Sequence, residues 1–366
     1  MADNKVENKI LIVWDRMGDY HRVRTETYSR LFKEDSLYTA DLGASDSLYG
    51  WNATENETHY CLSEQPADVK DLTNRFKNFK NIVEKYGINK VVLAGYGKPE
   101  YLLFTLWLKL KKIDCYYFAE SWYAGNKYVN YVKGLFLRKF VKRIFVSGKR
   151  AEIHFSNRLK FPVSKIKNGY SIVDNKHFEY QRSREDVIRN HKEGPILLCV
   201  ARHAPEKNLE VLIKGFQASN LYADWKLQIV GGGPITAQLE SLVKDIKKVE
   251  LSSWLSYDEL PSLYKNASAF ILPSKFEPWG LVVNEAMSAS LPIILSNECG
   301  CMPDLLDGNG YLFDAENLNN LVEVLNNLEK MSTDDLFKNG ERSFNIIKQF
   351  TPETWGQTLH TLLNGI

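Results

Sequence analysis

Residues 270–287 read FILPSKFEPWGLVVNEAM, and this stretch indicates the fold most directly. An apolar run, 270–273, leads into a loop bounded by Pro273 and Gly280, and a run with helical periodicity follows at 281–288. A buried strand, a short loop and a helix in that order form the repeating unit of parallel α/β folds. The stretch therefore predicts an α/β domain with a loop at the carboxyl edge of its sheet.

The same alternation of strands and helices runs along both halves of the chain. In the first half the predicted strands are 10–14, 37–41, 91–95, 113–119 and 143–147, and the predicted helices are 22–33, 67–86, 100–111 and 127–141. In the second half the predicted strands are 196–200, 225–230, 269–273, 292–296 and 311–313, and the predicted helices are 206–218, 235–247, 257–264, 281–288 and 318–328. Such alternation implies right-handed crossovers and parallel sheets. We therefore expect an α/β fold of two Rossmann-like, doubly wound domains that face each other across a cleft.

Chain length and local polarity suggest where these domains begin and end. A chain of 366 residues is long enough for two domains. Segment 174–194 is polar and lacks an apolar period, so we place a linker there. The N-terminal domain would then span 1–173 and the C-terminal domain 195–348, and 349–366 would form a helix that packs back on the N-terminal domain.

Composition excludes several classes of protein. The 47 Lys and Arg residues nearly balance the 45 Asp and Glu residues, which argues against a nucleic-acid partner. The longest apolar runs are too short for a membrane span, and residues 1–9 lack the pattern of a signal peptide. Five scattered cysteines suggest free thiols and no metal site. We therefore expect a cytoplasmic protein without a metal or cofactor.

Two cations follow the first strand of the second half. Arg202 lies just beyond predicted strand 196–200, and Lys207 lies at the start of the next predicted helix. A guanidinium, an ammonium and the free N–H groups of a helix start suit an anion such as a phosphate. Read alone, the segment is also typical of a surface loop in which Lys207 pairs with a nearby carboxylate.

A glycine turn, Gly231-Gly232-Gly233-Pro234, follows the next strand. Glycines allow a ligand or a neighbouring backbone to approach closely. The dinucleotide fingerprint requires glycine or alanine where this chain has Thr236, so NAD is disfavoured. The turn is equally typical of a tight strand-to-helix connection without a ligand.

Two glutamates lie in and after the loop that is bounded by Pro273 and Gly280. Glu277 lies in the loop, and Glu285 lies inside the helix that follows it. Two glutamates eight residues apart mean little by themselves. Their position at the same sheet edge as Arg202 and Lys207 makes them candidates for a ligand site.

Between residues 195 and 315 the chain presents a series of motifs in one order: Arg202 with Lys207, the turn 231–234, Glu277 with Glu285, Leu291-Pro292-Ile293-Ile294, and Gly308-Asn309-Gly310. This series is similar in order and spacing to that of the retaining glycosyltransferases of family 4. The first half resembles the family more loosely, through Gly18, 144–147, 168–169 and Phe178. The resemblance implies a GT-B fold with a nucleotide sugar bound mainly to the second domain.

The resemblance also implies roles for the charged residues. Arg202 and Lys207 look like the pair that holds the diphosphate and stabilises it as it departs. Glu285 looks like the carboxylate that accepts hydrogen bonds from ribose hydroxyls, and Glu277 like the residue that holds hydroxyls of the donor sugar. No side chain is an obvious covalent nucleophile, and Glu277 is the nearest candidate.

Further donor contacts are implied along the backbone. N–H groups of 276–282, which include Phe276, Gly280, Leu281 and Val282, would contact the sugar and phosphates, and Gly232 belongs to the same expected donor site. Gly18, in the first loop of the N-terminal domain, would allow the backbone to close on the diphosphate from the other side.

Three residues of the first half are candidates for the acceptor side. Many relatives carry a histidine after the strand that corresponds to 113–119, whereas this chain has Glu120-Ser121-Trp122. We take Glu120 and Trp122 as candidates to contact the acceptor. His21 is a third candidate, although a histidine at a helix start is also typical of a capping residue.

Segment 127–150 is basic and aromatic. It contains eight Lys or Arg residues and no Asp or Glu. Such a patch could hold the enzyme at the inner face of an anionic membrane, near a lipid-linked acceptor. Lys139 and Arg143 fall among the apolar positions of a helical wheel, however, and Gly134 interrupts the run, which is equally typical of ordinary core and rim.

These patterns favour a metal-independent retaining glycosyltransferase that moves a sugar from a nucleoside diphosphate sugar to a hydroxyl of a saccharide or glycolipid. No Asp-x-Asp metal motif stands at a plausible strand end. Two alternatives remain open: a nucleotide-sugar epimerase on the same scaffold, and a catalytically silent subunit that binds sugar nucleotides.

Overall fold

The computed structural model describes residues 7–45 and 58–365. The chain divides into two compact units, each with its own parallel sheet. The first unit comprises Met1–Ile172 together with Pro352–Ile366, and the second comprises Val173–Thr351. The predicted fold class, two parallel α/β domains, is confirmed.

The first unit contains a seven-stranded parallel sheet of order β3-β2-β1-β4-β5-β6-β7. Its strands are β1 Lys9–Trp14, β2 Ser36–Asp41, β3 His59–Cys61, β4 Lys90–Leu93, β5 Asp114–Ala119, β6 Arg143–Val146 and β7 Ile166–Asn168. Five of these strands were predicted to within two residues. β3 and β7 were missed because each has only three residues, too few to show a period.

Helices of the first unit connect these strands. They are α1 Asp19–Leu31, α2 Leu72–Tyr86, α3 Pro99–Leu110, α4 Lys127–Phe140 and α5 Lys149–Ile153, which continues into a π-helical turn, His154–Arg158. The four helices predicted for this unit are α1 to α4. α2 begins five residues later than predicted, because residues 67–71 form a turn instead.

The second unit contains a six-stranded parallel sheet of order β10-β9-β8-β11-β12-β13. Its strands are β8 Ile196–Val200, β9 Lys226–Val230, β10 Val249–Ser252, β11 Ala269–Leu272, β12 Ile293–Ser296 and β13 Gly310–Phe313. Its helices are α6 Asn175–Phe178, α7 Arg184–Glu193, α8 Leu209–Ala218, α9 Thr236–Val243, α10 Leu260–Asn266, α11 Leu281–Ser288, α12 Met302–Leu305, α13 Leu318–Glu329 and α14 Thr333–Ile347. The central strands are fully buried, as expected when helices cover both faces of a parallel sheet.

Segment 174–194, which we predicted to be a linker, belongs to the second unit and contains α6 and α7. Polar contacts of Arg182 attach this segment to the rest of the second unit. The buried Arg182 donates from Nε to the carbonyl of Ala289 at 2.9 Å and from Nη2 to that of Tyr264 at 2.5 Å. Hydrogen bonds to carbonyl groups leave no apolar period in the sequence, which explains the difference from the prediction.

The last helix, α15 Pro352–Asn364, lies in the first unit and packs against α1. Trp355 is 1% exposed, and Arg143 of β6 donates to the carbonyl of Leu362 at 3.1 Å. The end of the chain is thus tied to the first sheet. Among the described residues, no helix has both the length and the apolar character needed to cross a bilayer.

Candidate functional site

The winding of the second sheet reverses between β8 and β11. β9 and β10 continue to one side of β8, while β12 and β13 continue to the far side of β11. In open parallel sheets, ligands bind beyond the carboxyl ends of the strands at such a switch point. The loops that follow β8 and β11 carry Arg202, Lys207 and Glu277.

The loop after β8 presents two cations, each held by a carboxylate. Arg202 Nη2 lies 2.5 Å from Glu206 Oε1, and Lys207 Nζ lies 2.5 Å from Glu277 Oε2. Burial opposes ionisation of Glu206, but the hydrogen bond and charge of Arg202 outweigh it and lower the pKa of Glu206. Lys207 is thus paired with a carboxylate, and that carboxylate is the predicted sugar-binding residue.

The loop after β11 holds Glu277 in one position. The carboxylate also accepts a hydrogen bond from Ser274 Oγ at 3.3 Å, and the Glu277 carbonyl accepts from the N–H of Gly300 at 2.9 Å. The N–H of Lys275 donates to the Glu206 carbonyl at 2.8 Å, which joins the loops after β8 and β11. Glu277 is 8% exposed, so solvent screens its contact with Lys207 only weakly.

The loop ends at Gly280, which precedes the first turn of α11. Gly280 has φ +101°, a conformation that side chains other than glycine rarely adopt, and a Cβ there would lie 2.8 Å from Leu272. The first N–H groups of an α-helix have no intrahelical acceptor and attract anions. Leu281 and Val282 contribute two of these groups, and Phe276 in the same loop is 47% exposed.

Glu285 lies on the second turn of α11 and is 1% exposed. Its Oε2 accepts a hydrogen bond from the hydroxyl of Tyr264, on α10, at 2.6 Å. Tyr264 itself is fully buried. Tyr264, which the sequence analysis did not single out, therefore holds the Glu285 carboxylate in position.

The glycine turn after β9 is explained largely by packing. A Cβ on Gly231 would lie 2.0 Å from the carbonyl oxygen of Ala201, and one on Gly233 would lie 2.6 Å from that of His203. Gly232 differs, because a Cβ there would meet the indole of Trp254 at 3.0 Å. Trp254 is 48% exposed, so the turn has an accessible aromatic neighbour that the sequence analysis missed.

The remaining motifs of the second unit are structural. A Cβ on Gly310 would lie 1.7 Å from the Ile293 carbonyl oxygen, so this position requires glycine. The buried Asn309 side chain accepts from the N–H of Asp307 at 2.8 Å and donates to Leu305 and Ser343. Segment 291–294 is fully buried in and before β12.

In the first unit, Gly18 and His21 lie together at the start of α1. The N–H of Gly18 donates to His21 Nδ1 at 3.1 Å, and the imidazole lies 4.8 Å from the Trp14 ring. Burial and the charge of Arg24 lower the pKa of His21 to about 3. The neutral imidazole therefore caps the helix, which was the alternative that we kept open for this residue.

Glu120 and Trp122 follow β5 directly. Glu120 accepts a hydrogen bond from Ser171 Oγ at 2.6 Å, and its charge partly offsets the desolvation that lowers the pKa of the buried Arg24. The guanidinium of Arg150 stacks on Trp122 at 4.4 Å from the ring centre. Both acceptor candidates thus lie in polar surroundings at the carboxyl edge of the first sheet.

The basic segment 127–150 does not form one surface. Lys142 pairs with Asp114, Arg143 binds the Leu362 carbonyl, and residues 144–147 are buried. Gly134 is buried where a Cβ would lie 2.2 Å from the Leu159 carbonyl oxygen, so it permits close packing rather than interrupting the helix. The exposed part is α4, whose outer stripe consists of Tyr128, Tyr131, Val132 and Leu135 and ends at Lys139.

No group of three or more potential metal ligands occurs among residues 7–45 and 58–365. Cys299 and Cys301 are fully buried, and burial raises the pKa of the Cys299 thiol to about 12. Both thiols are therefore protonated near neutral pH and serve as core residues.

Comparison with known families gives a match in the second unit. Residues 181–343 match the family described as glycosyl transferases group 1. This segment contains Arg202, Lys207, Glu277 and Glu285. The second unit therefore includes a glycosyltransferase group 1 domain.

Individual relatives extend the comparison. An uncharacterized glycosyltransferase of Methanocaldococcus jannaschii is 26% identical over 78% of this chain and 78% of its own length. An alpha-monoglucosyldiacylglycerol synthase of Acholeplasma laidlawii is 31% identical over 50% of this chain and 47% of its own length. A sulfoquinovosyl transferase of Arabidopsis thaliana is 30% identical over 42% of this chain, which matches 30% of that protein.

Solved structures share the fold along the whole chain. Sucrose-phosphate synthase from Thermosynechococcus elongatus has a TM-score of 0.77 at 16% identity and covers 98% of this chain and 99% of its own. Anabaena HepE, in complex with UDP and glucose, has a TM-score of 0.74 at 13% identity and covers 98% of this chain and 100% of its own. These neighbours are GT-B glycosyltransferases, so the chain has that fold.

Proposed function

We propose that this protein is a retaining, metal-independent glycosyltransferase of family 4 that transfers a sugar from a nucleoside diphosphate sugar to a hydroxyl of a saccharide or glycolipid. The group 1 domain at residues 181–343 and the relatives that bear glycosyltransferase names support the general activity. Anabaena HepE binds UDP and glucose, which supports a nucleotide-sugar donor.

One observation carries the proposal: the ion pair between Lys207 and Glu277 at the switch point of the second sheet. A cation and a carboxylate in contact suit a ligand that brings both a diphosphate and sugar hydroxyls. The diphosphate would take over Lys207 and Arg202, and Glu277 would then accept hydrogen bonds from the sugar. The existing pair holds both groups together at the switch point.

The same residues supply the chemistry of the step. The bond between the anomeric carbon and the diphosphate oxygen breaks, and the bond to the acceptor oxygen forms on the same face of the sugar. Arg202 and Lys207 stabilise the growing charge on the diphosphate, a task that a divalent metal performs in other enzymes. The departing phosphate oxygen takes the proton of the acceptor hydroxyl.

The remaining donor contacts follow from the loop and α11. N–H groups at Leu281 and Val282 would bind phosphate or sugar oxygens beyond Gly280. Glu285 would hold the ribose hydroxyls, with Tyr264 keeping its carboxylate in position. Gly232 completes the proposed donor site in the second unit, and Phe276 flanks it.

Two rival functions use the same nucleotide site. An epimerase would convert the nucleotide sugar without an acceptor, and a silent subunit would bind it without turnover. The names of the matched relatives favour transfer to an acceptor.

A thermal unfolding screen with nucleoside diphosphates and their sugars tests the donor site. A ligand at 100 times its Kd should stabilise the folded protein by about 2.7 kcal/mol, which raises the melting temperature by several degrees. We expect this stabilisation with at least one nucleotide, and we expect it to persist in EDTA. A requirement for Mg²⁺ or Mn²⁺ would contradict the metal-independent site, and no response to any nucleotide would contradict the donor site itself.

We further propose that α4 rests on an anionic membrane at the cytoplasmic face. Its outer stripe places two tyrosines, a valine and a leucine in solvent, with Tyr128 at 82% and Val132 at 64% exposure. Tyrosines and aliphatic residues beside lysines are the composition of helices that lie in the interface of a bilayer. Lys127, Lys133 and Lys139 on the same helix would contact anionic headgroups.

Replacing Val132 and Leu135 by serine tests this surface. Each apolar side chain that enters the bilayer contributes about 1.5–3 kcal/mol, so the double variant should bind phosphatidylglycerol vesicles at least tenfold more weakly. The fold should not change, because both side chains are exposed. Co-sedimentation measures the affinity, and Ile188→Ser, an exposed change on α7, provides the matched control. Equal vesicle binding by the double variant and the wild type would eliminate the membrane contact.

A further inference from the structure

The glycine turn that follows β9 is held in place by His203, a residue of the neighbouring loop. The N–H of His203 donates to the carbonyl of Gly232 at 2.9 Å, and the carbonyl of His203 accepts from the N–H of Ile235 at 3.1 Å. On the other side, the N–H of Gly231 donates to the carbonyl of Ser252 at 2.9 Å. The turn is therefore bonded both to the loop after β8 and to the end of β10.

The side chain of His203 adds a further attachment. The residue is 1% exposed, and its Nδ1 lies 2.9 Å from the hydroxyl oxygen of Thr236, the first residue of α9. The same hydroxyl accepts from the N–H of Gly233 at 3.0 Å and donates to the carbonyl of Gly233 at 2.9 Å. The imidazole, the hydroxyl and the turn thus form one chain of hydrogen bonds.

The direction of these hydrogen bonds follows from the number of protons available. A hydroxyl has one proton, and Thr236 gives it to Gly233, so Thr236 accepts from His203 and Nδ1 of the imidazole carries a proton. Nε2 of His203 is buried and has no partner among residues 7–45 and 58–365. A neutral imidazole with its one proton on Nδ1 leaves no N–H group unpaired there. Burial lowers the pKa of His203, which favours this neutral form.

This network leaves one N–H group of the turn available. The N–H groups of Gly231 and Gly233 both have acceptors, and Pro234 has no N–H. The N–H of Gly232 has no acceptor in the part of the chain that the structure describes. Gly232 is only partly buried, so a ligand can reach this group.

The segment that carries this N–H group is bonded directly to the segment that carries Arg202. Arg202 immediately precedes His203, and the hydrogen bond from His203 to Gly232 joins the two segments. The same bond fixes the backbone from which the Arg202 side chain extends. A free backbone N–H and a guanidinium on adjoining segments suit an anion, because both groups donate hydrogen bonds to negatively charged oxygens.

We propose that His203 and Thr236 are positioning residues of the donor site, which hold the glycine turn so that the N–H of Gly232 donates to the diphosphate alongside Arg202. Both side chains act through the turn and not on the ligand itself. A turn that is fixed in advance binds more tightly, because the ligand does not have to order it. The inference rests on the proposed function, since it assigns two further residues to the diphosphate site.

Thr236→Val and Thr236→Ser test the role of the hydroxyl. Valine keeps the shape but removes the hydrogen bonds to His203 and Gly233, so the affinity for a nucleoside diphosphate should fall roughly threefold to tenfold. Serine keeps the hydroxyl and should restore the affinity of the wild type. Calorimetry well below the melting temperature measures the affinity. The matched control is Thr361→Val, which removes a hydroxyl that donates to the Gln357 carbonyl in the first unit.

Variants of His203 test the other partner of the hydrogen bond. His203→Leu removes the donor to Thr236 and should weaken diphosphate binding by a similar factor. His203→Asn retains an N–H donor close to the position of Nδ1 and should bind the diphosphate more tightly than His203→Leu. Because both residues act through one hydrogen bond, the His203→Leu, Thr236→Val double variant should lose less than the product of the single losses. Single losses that simply multiply would show that the two side chains act independently and would overturn their shared role.

A nucleoside without phosphates separates positioning from a general loss of structure. It should bind the wild type and every variant of His203 and Thr236 alike, because the N–H of Gly232 is assigned to the diphosphate. Equal losses of nucleoside and diphosphate affinity in Thr236→Val, or wild-type diphosphate affinity in that variant, would overturn the inference and leave the transferase proposal standing. A wild type that binds no nucleoside diphosphate would contradict both.

Discussion

Arg202→Ala and Lys207→Ala should each lower kcat/KM roughly tenfold to a hundredfold or more. A charge-assisted hydrogen bond contributes about 1.5–3 kcal/mol, and the charge on the diphosphate grows toward the transition state. Both cations would bind one anion, so the loss in the double variant should differ from the product of the single losses. Steady-state kinetics measure the effect, and calorimetry with a nucleoside diphosphate measures the accompanying loss of affinity.

Lys207→Ala also has a structural consequence that must be separated from catalysis. It leaves the Glu277 carboxylate, whose side chain is 10% exposed, without its cation. Removing one partner of a buried ion pair is destabilising. The Lys207→Ala, Glu277→Gln double variant removes that charge and should recover stability but not diphosphate affinity. Lys214→Ala, an exposed lysine on α8, is the matched control.

A nucleoside without phosphates provides the selectivity check. It should bind the wild type, Arg202→Ala and Lys207→Ala alike, because the lost contacts are to phosphate. Wild-type kcat/KM in either variant would mean that the residue is not a phosphate ligand. An equal loss of nucleoside affinity would mean that the donor site has been misplaced.

The variants Glu277→Gln and Glu285→Ala should distinguish recognition of the donor sugar from recognition of the ribose. Glu277→Gln should lower kcat about a hundredfold or more, because two charge-assisted hydrogen bonds to sugar hydroxyls are weakened while the amide preserves the shape. The affinity for the free nucleoside diphosphate should stay close to that of the wild type. Glu285→Ala should weaken both the nucleotide and the nucleotide sugar about tenfold.

Tyr264→Phe serves as the control for Glu285. It removes the hydrogen bond of 2.6 Å to the Glu285 carboxylate but leaves the carboxylate in place. We expect a smaller loss of nucleotide affinity than in Glu285→Ala. Equal losses of nucleotide affinity in Glu277→Gln and Glu285→Ala would refute the division of labour between the two glutamates.

The sequence predicted strands and helices correctly where their apolar residues form clear, uninterrupted patterns. β1, β8 and α11 were found within one residue, because their buried runs stand between clear turns. β10 was missed because the strand has only four residues, too few for the alternation of Val249 and Leu251 with polar residues to stand out. α7 and α14 were missed because polar residues dominate both segments. Each helix starts with a capping box, Ser183 with Asp186 and Ser332 with Asp335, which is itself a signal for a helix start.

For the candidate site, the sequence predicted only which charged residues follow the ends of the strands. Those residues could be ordered along the chain, but the contact between Lys207 and Glu277 requires two loops separated by seventy positions to meet. Glu206 could have been found from its spacing of four residues from Arg202. Tyr264 and Trp254 gave no sequence signal, because their importance depends on which side chains lie beside them in the folded chain.

The measurement that tests the central claim most directly is a proton NMR time course of the anomeric signal, run in EDTA with the best-bound nucleotide sugar and a candidate acceptor. We expect the anomeric signal of the donor to disappear as that of a new glycoside with the same anomeric configuration appears, together with one equivalent of nucleoside diphosphate. Arg202→Ala should slow both changes equally. A product of inverted configuration, an epimerised nucleotide sugar, or an unchanged donor would contradict the account.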